Sequence, residues 1–184
     1  MSVQTRLYTY EDLRRMPDDG KRYELIGGVI DVAPALARPH QRLVSYLQII
    51  VGSYVLQHQL GELYVAAVDV RLSDHDVVEP DLVFLRQERL HLYNQRGDIQ
   101  GAPDLVVEVI SPSSEKTDPG AKMALYARSG IPEYWLVNPA TKQFQGLVLR
   151  EGQYVEEPLV AGRYRSTVIE GFEIELAALV PWME

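Results

Sequence analysis

Glu108 interrupts Leu105-Val-Val-Glu-Val-Ile110, a run that otherwise reads as a core strand. A lone buried carboxylate must be protonated, paired or bound to a metal, because an uncompensated buried charge is costly. The plainer alternative is a strand-end carboxylate already in solvent, since Ser111-Pro112 follows directly. Asp104 lies four residues earlier on the same strand. At roughly 3.3 Å per residue the two are about 13 Å apart, too far to share one ion. A partner must therefore come from a neighbouring strand. Asp81, early in Glu79-Pro-Asp-Leu-Val-Phe84, is the best-placed candidate. If the two strands pair, both acids reach one magnesium ion at about 2.1 Å per ligand. Taken alone, Pro80-Asp81 reads better as a turn before a strand. Lys122, on the first turns of the next helix, could orient an attacking water or offset charge on a pentavalent phosphate. A lysine on a solvated helix face is the commoner explanation. The chemistry open to these three residues is metal-assisted phosphodiester hydrolysis. Positioning and charge stabilisation suffice for it, and no covalent nucleophile is needed.

The elements that must position them are legible in outline. Thr9 caps a short helix within 8–19, with Glu11 and Asp12 in its first turn and Gly20 after its end. Two β-prone runs, Arg22-Tyr-Glu-Leu-Ile26 and Val29-Ile-Asp-Val-Ala33, flank Gly27-Gly28 and read as a hairpin. From about His40 to Gln59, Leu43, Leu47, Ile50, Val51, Tyr54 and Val55 fall at helical spacing, and Gly61 closes the helix. Strands are expected over 62–72 and 77–85, the latter interrupted by Pro80, and 86–102 is irregular with one helical turn. The strand over 105–110 is apolar on both faces and therefore central. After a loop at 111–114, Asp118 fits an N-cap, Pro119 the first helical position and Gly130 the residue past the end. Glu133-Tyr-Trp-Leu-Val137 is a further strand. The remainder reads as an antiparallel β extension with turns at Gly146, Gly152, Gly162 and Gly171. The class is mixed α/β (α+β), with a central sheet flanked by helices in one domain over 1–184.

Composition narrows the function classes. There is no cysteine, which excludes a disulfide framework, a thiolate zinc site and a cysteine nucleophile. Neither a signal-peptide core nor an apolar run of roughly 18 residues is visible, so a cytoplasmic protein without membrane contact is expected. The net charge of −8 counts against a coating protein for nucleic acid, but not against an enzyme with a local basic rim. Candidates for that rim are Arg38, Arg42, Arg86, Arg89, Lys116, Lys122, Arg163 and Arg165, read equally well as scattered solvated charges. Val168, Ile169, Phe172, Ile174, Leu176 and Leu179 are either ordinary core or a surface for a homodimer.

Four segments in this order resemble the Uma2 family, within the PD-(D/E)XK restriction-endonuclease-like superfamily. They are Tyr23-Glu-Leu-Ile-Gly-Gly28, Arg38-Pro-His-Gln41, Val78-Glu-Pro-Asp-Leu-Val83 and Ala102-Pro-Asp-Leu-Val-Val-Glu-Val-Ile-Ser-Pro112. Asp118, Lys122 and Gly130-Ile-Pro-Glu-Tyr-Trp135 follow the last, and the resemblance spans about 8–180. It implies a restriction-endonuclease-like core and a Mg2+-dependent endonuclease, Mn2+ being a substitute. Asp81 and Glu108 are the implied metal acids, with the backbone carbonyl of Val109 as a further ligand. The position two after Glu108 is Ile110 rather than lysine, and the resemblance passes that role to Lys122. It also suggests Glu24 as a further acid of the site, and His40 and Gln41 at the border of the substrate cleft. A lone histidine at a helix start is more often a cap or surface residue. The implied substrate is nucleic acid, DNA in the first instance. Two competing readings stand beside it: a catalytically inactive nuclease-fold module that binds nucleic acid or protein, and a metal phosphatase for a small phosphorylated molecule.

Overall fold

The structure, a computed structural model, describes residues 6–17, 19–33, 37–110 and 119–184. The expected loop at 111–114, Lys116 and the Asp118 cap lie outside the described residues. A capping box opens helix α1 (Tyr10–Leu13): Thr9 accepts from the Asp12 N–H, and Asp12 accepts from the Thr9 N–H. Strands β1 (Arg22–Ile26) and β2 (Val29–Ala33) form the expected hairpin. Gly27 and Gly28 take φ of 58° and 76°, the left-handed pair that a two-residue hairpin turn demands. Helix α2 (Arg38–His58) follows. It is closed by Gln59 in the left-handed region at φ 54° rather than by Gly61. Gly61 instead begins a strand where a Cβ would lie 2.0 Å from the Leu85 carbonyl.

Each of the two long strands expected next is two strands in different sheets. Residues 61–73 divide into β3 (Gly61–Val65) and β4 (Val70–Ser73). Residues 76–86 divide into β5 (Asp76–Val78) and β6 (Leu82–Arg86). The second break falls at Glu79-Pro80-Asp81, where Pro80 has no N–H to give to a ladder. The chain crosses there from a five-stranded sheet to a six-stranded one. A 3-10 turn over Gln87–Leu92 and β7 (Ile99–Gln100) precede β8 (Leu105–Val109). Helix α3 (Pro119–Arg128) then leads to β9 (Glu133–Asn138), β10 (Gln143–Arg150) and β11 (Gln153–Glu156). The chain ends with β12 (Arg163–Arg165), β13 (Glu173–Glu175), α4 (Leu176–Leu179) and a 3-10 turn over Val180–Trp182.

The large sheet has the order β11-β10-β9-β8-β6-β3 and is mixed: β8 and β9 run parallel and the other neighbours antiparallel. The small sheet has the order β2-β1-β5-β4-β7. Strand β8 is central, as its apolar faces require. Leu105, Val107 and Val109 join a core with the apolar stripe of α2 (Leu43, Leu47, Val51, Val55) and the C-terminal segment. Val106 faces the other way, into a core with α3 residues Leu125 and Tyr126 and small-sheet residues Val70, Val78 and Ile99. The expected C-terminal extension is therefore split. Strands β10 and β11 widen the large sheet, and only β12 and β13 form a ribbon of their own. Gly146 is no turn: it lies within β10 under the Tyr164 ring, where a Cβ would fall 1.9 Å from Cε2. Val168, Ile169, Phe172, Ile174 and Leu179 are buried in the first core, so of the two readings offered for this segment these residues take that of ordinary core. Among the described residues no helix is long and apolar enough to cross a membrane.

Candidate active site

Strand register brings the two acids together. In the β6–β8 pair, Leu82 stands opposite Val107 and Val83 opposite Val106. One step further on this register Asp81 stands opposite Glu108, so alternation turns both to the same face. The face is the one that packs on α3 and the small sheet; the apolar stripe of α2 covers the opposite face, and α2 reaches this one through His40 on its first turn. Asp81 is 3% exposed. Its Oδ2 accepts from the Val109 N–H at 2.8 Å and from His40 Nε2 at 3.0 Å. A carboxylate only accepts here, so Nε2 carries the imidazole proton. His40 is buried on the first turn of α2, and its Nδ1 has no partner among the described residues. On the other side, Arg22 Nη1 lies 3.6 Å from Asp81 Oδ1, buried and without a hydrogen bond among the described residues.

Helix α3 supplies the opposite wall. Lys122 and Tyr126 are four residues apart and share one helix face. Lys122 Nζ donates to Glu108 Oε1 at 3.0 Å and to Glu24 Oε1 at 2.7 Å, and the Tyr126 hydroxyl donates to Glu108 Oε1 at 2.6 Å. Glu24, buried on β1, also accepts the Glu79 N–H at 2.9 Å. Burial pushes the Glu108 carboxyl up to about 6; Asp81 and Glu24 add to the rise, and Lys122 and the Tyr126 hydroxyl oppose it. Burial works against the Lys122 ammonium, but Glu108 and Glu24 outweigh it and hold the lysine charged. Burial, then the negative charge of Glu108, pushes the Tyr126 phenol well up, so it stays a donor. Glu79 is pushed up to about 7, first by burial and then by Asp69.

Asp81, Glu108, Lys122, Glu24, His40 and the Val109 backbone thus meet in one place. Gln41 does not: its side chain is exposed, and its carbonyl accepts the Ser45 hydroxyl. Val109 reaches Asp81 through its N–H. Three neighbours escaped the sequence reading, namely Arg22, Glu79 and Tyr126. Each had a local signal: Arg22 alternates with Glu24 on β1, Glu79 lies two residues before Asp81, and Tyr126 follows Lys122 by one helical turn. Asp104, set aside on distance, is buried and bound instead to Arg89 Nη1 at 2.8 Å and the Arg86 N–H at 3.0 Å.

The donor set suits a hard divalent ion. Among the described residues, Glu24, Glu79, Asp81 and Glu108 gather around two permanent cations, Lys122 and Arg22. The unpaired excess is carboxylate, the preferred ligand of magnesium, calcium and manganese. Among the described residues no three Asp, Glu or His side chains converge as a closed ligand set. Magnesium does not need one, because it keeps several waters and takes one or two carboxylates. Glu108 Oε2 and Asp81 Oδ1 accept no hydrogen bond among the described residues.

Comparison with known proteins identifies the fold and the family. A solved structure described as a putative nuclease belonging to DUF820, from Anabaena variabilis, matches with a TM-score of 0.80 and 17% sequence identity. The match covers 96% of this chain and 99% of that one. At that identity the likeness is one of fold, and it extends over the whole mixed architecture. No curated protein matches. The model of the Uma2 family, described as "Putative restriction endonuclease", matches residues 10–179. With nearly its whole length covered, the chain belongs to the Uma2 family.

Proposed function

We propose that this protein is a divalent-metal-dependent endonuclease that hydrolyses phosphodiester bonds of nucleic acid, DNA in the first instance, with Asp81 and Glu108 as the metal acids. The observation that carries the reading is the position of Lys122. Ile110 occupies the usual lysine position, yet an ammonium reaches Glu108 Oε1 at 3.0 Å from α3. The family's description and the nuclease-like fold support the same class. A bound magnesium or manganese ion would supply a polarised water and offset phosphate charge. The residues supply the rest. His40 and the Val109 N–H fix the Asp81 carboxylate in one orientation. Tyr126 and Lys122 fix Glu108. Lys122, held charged, is the group that stabilises negative charge growing on the phosphate as the attacking oxygen closes in. The Val109 carbonyl completes the proposed ligand set.

Plasmid nicking in Mg2+ tests the assignment, comparing wild type with Asp81→Ala, Glu108→Ala and Lys122→Ala. Wild type is expected to nick, and the two acid variants to lose activity by several orders of magnitude. Equal cleavage by all four proteins sinks the reading, since a contaminating nuclease then explains it. A second reading, the inactive binding module, draws on the same lysine: Nζ is already engaged by two carboxylates. Calorimetry separates the two, because folded protein with no affinity for Mg2+ or Mn2+ supports the module.

A further inference from the structure

Two cations stand among the acids of the site, and they are not equally committed. Lys122 Nζ is held by Glu108 at 3.0 Å and by Glu24 at 2.7 Å. Arg22 is not held in this way. Its one ion pair among the described residues is with Asp81, Nη1 to Oδ1 at 3.6 Å, beyond hydrogen-bond range. A guanidinium kept only to balance a carboxylate forks onto it at about 2.7–2.9 Å. Here Nη1 stops short, is buried, and donates to no acceptor among the described residues. A buried donor left unpaired is costly, and more so when it carries charge. Such a nitrogen is the complement of an acceptor that arrives with a ligand.

The backbone explains where the guanidinium stands. Strand β1 pairs with β5 at Leu25 opposite Val77. Continued along that register, Arg22 comes beside Pro80, at the crossing between the two sheets and next to Asp81 in the chain. Glu24 lies two residues on and shares the face, where it holds Lys122. The Arg22 side chain is 23% exposed and that of Asp81 4%. The arginine therefore lies on the solvent side of the acid, where a substrate approaches.

We infer that Arg22 grips a non-bridging oxygen of the phosphodiester at this site and holds the substrate before the chemical step. This rests on the proposed reading of the site as a phosphodiesterase, and it divides the work of the two cations. Lys122, fixed to Glu108, acts on charge that grows in the transition state. Arg22, with a donor to spare, binds charge that the diester carries from the outset. Phosphate suits it, because a guanidinium is planar, stays charged and presents paired N–H groups to two phosphate oxygens.

The test measures binding and cleavage on the full chain. Fluorescence anisotropy in Ca2+ gives affinity for a labelled duplex, plasmid nicking in Mg2+ gives kcat and KM, and electron paramagnetic resonance gives Mn2+ affinity. Arg22→Ala and the milder Arg22→Gln, both native by circular dichroism, are expected to weaken duplex binding and raise KM by about ten-fold or more. The change in kcat is far smaller, as loss of ground-state binding requires, and Mn2+ affinity is not weakened. Arg22→Lys keeps the charge without the fork and recovers part of the loss. Unchanged duplex affinity and KM in either variant, in protein that still nicks, overturns the inference alone, since Arg22 then only balances Asp81. A loss confined to kcat overturns it too. Wild type that neither nicks nor binds duplex overturns the reading of the site, and this inference with it.

Discussion

Asp81 is held by two donors on one oxygen, and that sets what each neighbour contributes. Without the imidazole, Oδ2 keeps the Val109 N–H but loses its second donor in a buried place. Groups that orient a ligand typically change metal affinity by about 10–100-fold when removed. His40→Ala is therefore expected to weaken Mn2+ binding by roughly that factor, and His40→Gln to recover part of it. Unchanged affinity in a folded His40→Ala protein means that the histidine only fills space. Glu79 gives a pH prediction. Its carboxyl is raised from 4.5 to about 7, by burial first and then Asp69, with Arg22 opposing. The folded state therefore holds this proton more tightly than the unfolded chain. Below the unfolded value both states are protonated and the contribution is fully present. As pH rises toward about 7 the unfolded chain releases its proton first, and stability is lost. Urea unfolding without metal should show wild type losing ground to Glu79→Gln between pH 4.5 and 7. A difference that stays flat over that window rejects the assignment.

At the scale of elements, the parts that could be read from sequence carry their own punctuation. The β1–β2 hairpin has its glycine pair, α1 its capping box and α3 its closing Gly130 at φ 79°. The Asp81–Glu108 pairing was legible because it needs only two strands in register. The divisions at 66–69 and 79–81 were not, because both halves of each run are apolar and β-prone. What separates them is the sheet in which each half finds a partner, and that is a tertiary fact. The same holds for Glu133, which reads as the first residue of a strand. It is fully buried and accepts from Trp135 Nε1 at 2.6 Å, the Tyr164 hydroxyl at 3.0 Å and the Thr167 N–H at 2.6 Å. It thereby ties β9 to β12 and the segment after it. Glu133→Gln turns an amide N–H₂ toward a ring of donors. The expected loss is roughly 3 kcal/mol, from charge-assisted bonds given up and a donor left unpaired. Gly146→Ala drives a methyl into the Tyr164 ring below the same carboxylate. Overpacking of this kind costs about 1–3 kcal/mol. Urea unfolding of both variants measures these losses. A Glu133→Gln protein as stable as wild type means the carboxylate is protonated or solvated rather than the hub of the joint.

For the whole molecule the question is how a chain of net charge −8 meets a polyanion. Most of its cations already have partners. Arg86 and Arg89 hold Asp104, Arg163 and Arg165 hold Glu173, and Arg128 holds Asp76. Arg42 donates to the carbonyls of Pro181 and Glu184 and lies over the Trp182 ring. The expected basic rim is therefore mostly internal bracing. Among the described residues the exposed arginines without such a partner are Arg15, Arg38 and Arg96, and Arg38 opens α2 two residues before His40. Each phosphate neutralised by a side chain contributes about −0.9 to the slope of log affinity against log salt on duplex DNA. Three such contacts give a slope of about −3, shallow for a DNA-binding protein. On the proposed function, most of the attraction would then pass through an ion held at Asp81 and Glu108. Fluorescence anisotropy with a labelled duplex tests this in Ca2+, which fits oxygen ligands, over roughly 50 to 200 mM salt. Binding is expected to need the ion, to disappear in EDTA, and to show the shallow slope. Arg38→Ala should reduce that slope by about one. A slope near −6 overturns the argument: either two chains share one duplex, or the internal arginines leave their carboxylates when DNA arrives.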